Sequence, residues 1–117
     1  MRIAYIAHPI SGNIEENLKS IREIVRYINI NEPDTVPFVP YYADVVSLDD
    51  NNPEERKRGI KNDKRLLESG IIDQVRLYGK TISKGMWEEI RIADRENIDV
   101  VPMTEETKNI YWQTFSN

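Results

Sequence analysis

The sequence predicts an α/β protein, a three-layer sandwich around a parallel sheet of four or five strands, flavodoxin-like or Rossmann-like. Short apolar segments alternate with amphipathic segments in the order β-α-β-α-β-α-β, the pattern of a parallel sheet flanked by helices. Connections between parallel strands cross over in the right-handed sense, which places the helices on the faces of the sheet. The 117 residues, 39% of them hydrophobic, are enough for one core, so residues 1–117 are expected to form a single domain.

The first element is a buried strand that leads into a long helix. Residues 2–7 (RIAYIA) are short, apolar and rich in strand formers, and residues 8–13 (HPISGN) have turn composition. Asn13 is a plausible N-cap, with Glu16 as its capping-box partner. The helix that follows has an apolar stripe formed by Ile14, Leu18, Ile21, Val25 and Ile28.

The middle of the chain is predicted to hold an edge strand, a loop and a second long helix. Residues 35–39 form the strand, and Pro37 within it indicates an edge position. Residues 40–52 are interpreted as an acidic loop, with Tyr41 and Tyr42 at its start. Asn52 before Pro53 then indicates a helix start, and that helix is expected to run to about Ser69 and stop at Gly70.

The last third is predicted to complete the alternation. Residues 71–78 form a third strand, 79–84 a loop, 85–97 a third long helix and 98–103 a fourth strand. The tail carries Ile110, Trp112 and Phe115, and these apolar side chains indicate that it docks on the domain. Ligands of such folds bind where strands end and helices begin, which directs attention to residues 8–13 and 79–85.

Composition excludes several kinds of site. The chain has no cysteine and a single histidine, His8, which excludes disulfides, thiolate zinc sites, cysteine nucleophiles and two-histidine metal sites. The net charge of −4 argues against binding nucleic acid polymers, although one nucleotide can still be held by backbone amides. No apolar run approaches the ~20 residues of a membrane span, and the start lacks signal-peptide character, so a cytoplasmic protein without membrane partners is expected.

Two carboxylates lie on apolar helix faces. Glu89 shares the face of Met86 and Ala93, whereas Glu88 is rotated by about 100° from it, toward the arginines of that helix. Asp63 lies between Ile60 and Leu67 at helical spacing. Two inward acids can share acid–base and nucleophilic work. The alternatives, a Glu89 that reaches water at the edge of its stripe and an Asp63 in a surface salt bridge, are at least as compatible with the spacing.

The loops offer weaker signals. Ser11 and Gly12 precede one helix, and Ser83 and Gly85 precede another, where a hydroxyl and unpaired amides suit a phosphate or carboxylate; ordinary capping explains them equally well. His8 directly follows a strand end, and a lone histidine there is either structural or part of the cleft. Tyr5 in the first strand and the pair Tyr41 and Tyr42 are compatible with ligand contact and with packing.

Taken together, these segments resemble a known superfamily. Residues 5–12 (YIAHPISG) resemble the opening motif of the nucleoside 2-deoxyribosyltransferase superfamily, in which a strand ends in an Ala-Gly-Pro-like turn. Residues 83–89 (SKGMWEE), with Ala93 after them, resemble its second motif: a Gly, three residues, a Glu and a small residue one turn later. Residues 48–59 are similar to a subgroup of small bacterial and phage proteins assigned to it. The resemblance covers about the first 103 residues.

The resemblance implies a single nucleoside 2-deoxyribosyltransferase-like domain that cleaves or exchanges a nucleoside's N-glycosidic bond. Glu89 would be the nucleophile, Asp63 would orient the sugar or transfer a proton, and Tyr5 would lie near Glu89. The remaining substrate contacts would come from His8, Ser11, Gly12, Ser83, Gly85 and Met86. No metal or cofactor is implied, and a homo-oligomer, with a dimer favoured, is expected. The sequence departs from the motifs at His8, Lys80 and Trp87.

Two functions follow as hypotheses. The first is a transferase or hydrolase acting on a (deoxy)nucleoside or its 5′-monophosphate, with Lys80 and Lys84 favouring a phosphorylated substrate. The second is a non-catalytic nucleotide-binding or sensing module of the same fold, which the three departures from the motifs would favour.

Overall fold

A computed structural model describes residues 1–115, with the side chain of Phe115 outside the description. The elements are β1 (Arg2–Ala7), α1 (Ile14–Asn31), β2 (Thr35–Phe38), α2 (Tyr41–Ser47), α3 (Pro53–Leu67), β3 (Gln74–Leu77), α4 (Lys84–Arg95), β4 (Asp99–Pro102) and α5 (Glu105–Phe115). The strands form one all-parallel sheet in the order β2-β1-β3-β4. This arrangement confirms the predicted three-layer α/β fold of Rossmann or flavodoxin type.

The two faces of the sheet carry separate cores because side chains alternate along each strand. On one face, Tyr5 and Ala7 of β1 join Val75 and Leu77 of β3 beneath the apolar side of α4. On the other face, Ala4 and Ile6 pack with Ile28 of α1. After β1 the chain continues to β2 on one side of the sheet, and after β3 it continues to β4 on the other side. The strand order therefore reverses between β1 and β3, and the carboxyl ends of these two strands flank that point.

Local capping determines where the long helices begin. Asn13 Oδ1 accepts a hydrogen bond from the Glu16 backbone N–H (3.3 Å), and Asn52 Oδ1 accepts from the N–H groups of Glu54 (3.0 Å) and Glu55 (3.3 Å). Both predicted N-caps are therefore confirmed. The edge position of β2 is confirmed as well.

The interpretation of residues 40–52 as a loop is wrong over its first part, where α2 forms. Seven residues have little helical stability of their own, and α2 is held by contacts with α3. Asn62 donates to Asp44 Oδ2 (3.3 Å), and Gly59 lies against Leu48, the residue that follows α2. Ile60 is 62% exposed, so it does not belong to the buried face of α3 on which its helical spacing placed it.

The tail docks on the domain through α5, in which Tyr111 packs against the core beside β3 and α4. The Thr107 side chain of α5 is buried, and its hydroxyl donates to the Leu77 carbonyl (3.2 Å). Ile110 is partly buried, whereas Trp112 is 64% exposed, and the Phe115 side chain lies outside the described residues. Of the helices in residues 1–115, none combines the length and apolar character that a bilayer crossing demands.

Candidate functional site

Three side chains from three elements meet on the α3–α4 face of the sheet. Tyr5 of β1 has 0% exposure, and its hydroxyl lies 2.6 and 2.7 Å from the two carboxyl oxygens of Asp63 on α3. The same hydroxyl also forms a hydrogen bond with Glu89 Oε2 on α4. We call Tyr5, Asp63 and Glu89 the carboxyl cluster.

Helix periodicity explains why one of two adjacent glutamates joins the cluster. Glu89 shares the face of buried Met86 and Ala93, and that face lies against the sheet. Glu88 points away and forms an ion pair with Arg91 on the exposed side of α4. The spacing left open whether Glu89 points inward or reaches water at the edge of its stripe, and in the structure it points inward.

The oxygen contacts of the cluster favour one extra proton. The Tyr5 hydroxyl has one hydrogen, yet three carboxyl oxygens lie within hydrogen-bonding reach of it. With both carboxyls ionised, at least one of these contacts would be a repulsive approach of two oxygens without a hydrogen between them. One carboxyl is therefore protonated and supplies the missing donor.

The electrostatics indicate where that proton lies. Burial raises the pKa of Glu89 well above its ordinary value; the charge of Asp63 and a hydrogen bond to Asp63 raise it further, and a hydrogen bond with Tyr5 opposes the rise. Burial also raises the pKa of Asp63, but hydrogen bonds from Glu89 and Tyr5 oppose that rise. The pKa of Glu89 is raised the more strongly of the two, which makes Glu89 the member of the pair that binds a proton more readily. Burial and the two neighbouring acids raise the pKa of Tyr5, which stays a neutral donor.

Tyr41 forms a wall beside the cluster. Its ring is tilted at 47° to that of Tyr5, with centroids 5.9 Å apart, and its hydroxyl donates to the Ile6 carbonyl (2.6 Å). Sequence reasoning placed Tyr41 in a loop and did not assign it to the site. The helical spacing of Tyr41, Val45 and Leu48 was the signal that could have located it.

The two loops at the carboxyl ends of β1 and β3 touch each other. Gly79 has φ +91°, and a Cβ atom placed there would lie 2.7 Å from Cδ of Pro9. Any larger residue at this position would therefore be both strained and in collision with the first loop. The fold brings together the two loops that the sequence singled out.

His8 lies on the opposite face of the sheet from the carboxyl cluster. It is 6% exposed, its Nδ1–H donates to the Pro9 carbonyl (2.7 Å), and its Nε2 accepts from the Ser20 hydroxyl (3.0 Å). Since a carbonyl can only accept, this tautomer is the one that satisfies both contacts. Burial lowers the pKa of His8 and keeps the ring neutral. These two hydrogen bonds tie His8 to the first loop and to α1.

The other candidate residues lie at helix starts or in the core. Ser83 caps α4, its hydroxyl oxygen accepting from the Met86 N–H (3.2 Å), and the Met86 side chain is buried in the core. Ser11, Gly12 and Gly85 are exposed. Within residues 1–115, no hydrogen bond joins any of these five residues to the carboxyl cluster.

No three acidic or histidine side chains of the described residues are placed to hold a metal ion together. Two cavities stand out, of about 590 and 300 Å³, and both lie along α1 rather than at the carboxyl cluster. The side chains of the carboxyl cluster offer the chemistry of a carboxyl pair and a tyrosine hydroxyl.

Comparison with known proteins adds a family and no activity. The model of a family described as "Domain of unknown function (DUF7768)" matches residues 2–103, a span that contains every member of the carboxyl cluster. No curated protein matches the sequence.

Proposed function

We propose, for a chain that belongs to the DUF7768 family of domains of unknown function, that it cleaves or transfers the N-glycosidic bond of a (deoxy)nucleoside or its 5′-monophosphate. The observation that carries the proposal is the carboxyl cluster, in which two carboxyls lie within hydrogen-bonding reach of one buried tyrosine hydroxyl. The resemblance of residues 5–12 and 83–89 to the nucleoside 2-deoxyribosyltransferase superfamily supports it.

The chemistry of such a bond matches what the cluster offers. An N-glycosidic bond breaks through an oxocarbenium-like state, which a carboxylate can capture at the anomeric carbon, while the departing base needs a proton. In the proposed first step, the proton passes from Glu89 to Asp63 and on to the leaving nitrogen. The ionised Glu89 oxygen bonds to the anomeric carbon as the carbon–nitrogen bond breaks.

The second step distinguishes a hydrolase from a transferase. Water that attacks the anomeric carbon of the glycosyl ester releases the sugar and returns its proton to the carboxyl pair. A second base that attacks instead yields a new nucleoside, and the proton of its attacking nitrogen returns to the carboxyl pair. Neither route needs a group other than the cluster and the acceptor, so no cofactor is part of the proposal.

The substrate's 5′ side is assigned to the loops at the strand ends. Lys80 and Lys84 are exposed beside the cap of α4, and backbone amides at a helix start suit an anion. We therefore expect a 5′-monophosphate to be preferred over the free nucleoside. Ser11, Gly12, Ser83 and Gly85 are the proposed contacts.

A second function rests on a specific observation. The Tyr5 hydroxyl and the two carboxyls satisfy one another without a ligand, and in the described residues no buried side-chain nitrogen or oxygen lacks a partner. A cluster of this kind can also serve only to fix the helices on the sheet. The loops would then bind a nucleotide without turnover.

One experiment separates these functions. The protein is incubated with each deoxynucleoside and its monophosphate, and free base is measured by chromatography. Glu89→Gln should abolish the release, while Glu88→Gln, one residue away in an exposed ion pair, should leave it intact. Thermal stabilisation by a nucleotide without base release would favour the binding module. Base release that persists in Glu89→Gln rules out the proposed nucleophile.

Location and assembly complete the proposal. We propose a cytoplasmic protein that acts as a homodimer on a small-molecule substrate and contacts neither a membrane nor a nucleic acid polymer. Sedimentation of the purified protein tests the dimer, and a monomeric protein with full activity would contradict it.

A further inference from the structure

A groove lies along α1, on the opposite side of the sheet from the carboxyl cluster. Its volume is about 590 Å³, within the usual range of small-molecule sites. α1, β2 and the start of α2 line it, and the residues that matter below are Arg22, Val25, Arg26, Pro37, Val39 and Tyr42. We propose that this α1 groove binds a small organic anion, with an apolar or aromatic body on its floor and its anionic group on the two arginines.

The charge of the lining is entirely positive. Arg22 and Arg26 lie one turn apart on α1, and no acidic residue lines the groove. Within residues 1–115, neither Arg22 nor Arg26 forms an ion pair with a carboxylate, although the charges of Glu15 and Glu23 act on Arg22 from elsewhere on α1. Two guanidinium groups without a protein carboxylate can form charge-assisted hydrogen bonds with an external anion.

One of the two guanidinium groups is already oriented. Arg22 Nη1 donates to the Tyr42 hydroxyl (3.0 Å), which joins α1 to the start of α2 across the groove. The floor below is apolar, formed by Val25, Pro37 and Val39. An anion without an apolar body would leave this surface in contact with water, so the groove favours an amphiphilic ligand.

The edge strand argues for a small molecule and against a peptide strand. The N–H of Thr35 points away from β1 and already donates to the Glu32 carbonyl (3.0 Å). Alternate residues of a strand direct their N–H groups to the same side, so Pro37 would be the next donor on this edge, and proline has none. A peptide added alongside β2 would find no free donor at these two positions.

The proposal for the α1 groove does not rest on the proposed glycosidic activity.

The test uses three probes on the full chain. 2-Naphthoate carries both parts of the proposed ligand, 2-naphthamide keeps the rings without the charge, and inorganic phosphate keeps charge without the rings. Calorimetric titration should show saturable binding of 2-naphthoate, at least about tenfold weaker binding of the amide, and none of phosphate.

Variants place the binding in the α1 groove. Arg22→Gln and Arg26→Gln should each weaken 2-naphthoate about tenfold, whereas Lys19→Gln, which removes an exposed charge from α1 outside the groove, should not. All three positions are exposed, so folding should survive. Absence of saturable 2-naphthoate binding, or equal affinity in the double arginine variant, overturns the proposal. A change of sedimentation mass in the arginine variants also overturns it, because the groove would then be an interface between copies.

Discussion

Glu89→Gln should remove a pH-dependent loss of folding stability. Burial and Asp63 raise the pKa of Glu89 well above its ordinary value of 4.5, so the native state keeps a proton that the unfolded chain releases above that pH. Because the native state then binds more protons, stability falls as pH rises from the unfolded pKa to the folded one. Glutamine does not titrate, so the variant lacks this loss.

The size of the effect is set by one proton. A single group titrating differently in the two states changes the free energy of unfolding by about 1.4 kcal/mol per pH unit. For 117 residues the unfolding entropy is about 0.25 kcal/mol/K, so this slope corresponds to about 6 °C per pH unit. Toward alkaline pH the variant should become more stable than the parent, although it has lost the proposed nucleophile.

The measurement is urea denaturation at one-unit steps from about pH 5 to pH 8. Burial lowers the pKa of His8, so His8 contributes stability that rises with pH up to its ordinary value of 6.5. His8 is present in parent and variant alike, so the difference between the two curves reports the carboxyl pair, Glu89 together with the Asp63 to which it is coupled. Glu88→Gln serves as the matched control and should keep the parent's slope. If Glu89→Gln and the parent show parallel curves, Glu89 is not the protonated member of the cluster.

Three further substitutions test the packing around the site. Tyr5→Phe should cost about 1–3 kcal/mol in urea denaturation, because Asp63 loses a buried donor and the protonated carboxyl loses its acceptor. Gly79→Ala should cost at least about 1 kcal/mol more than Gly70→Ala in the same assay; both have positive φ, but only position 79 leaves no room for a Cβ atom. Glu32→Gln should cost about 1–3 kcal/mol near neutral pH, since it leaves Arg76, 4% exposed, without its carboxylate at 2.9 Å. The hydrogen bond from Arg76 lowers the pKa of Glu32 below its ordinary value of 4.5. The extra stability of the parent over Glu32→Gln should therefore decrease as the pH falls below 4.5 and through the pKa of Glu32 in the folded state.

Each of these has an outcome that contradicts it. If Tyr5→Phe leaves the stability unchanged, the two carboxyls satisfy each other's hydrogen bonds without the hydroxyl. If Gly79→Ala and Gly70→Ala lose the same stability, the two loops can move apart to accommodate a Cβ atom at position 79 with little loss of free energy. A Glu32→Gln deficit that persists undiminished at acid pH would have to come from packing rather than from charge.

Local interactions were the most predictable part of the fold. An N-cap joins residues two or three positions apart, so Asn13 and Asn52 could be assigned from their neighbours in the sequence. The helix α2 was missed because its stability comes from contacts with α3, such as the Asp44–Asn62 hydrogen bond, which short-range patterns do not contain. Ile60 was misplaced because helical spacing defines a face without defining where that face ends.

The sequence by itself determined the alternation of strands and helices, the helix starts and a short list of inward acids, since periodicity fixes how a side chain points about its own axis. It left Glu89 and Asp63 each with a solvent-exposed alternative. Only the tertiary structure decided that both acids meet one hydroxyl, 58 and 84 residues away from them along the chain. The reason is physical: the stacking of α3 and α4 on β1 depends on how all the layers pack, and no local pattern encodes it.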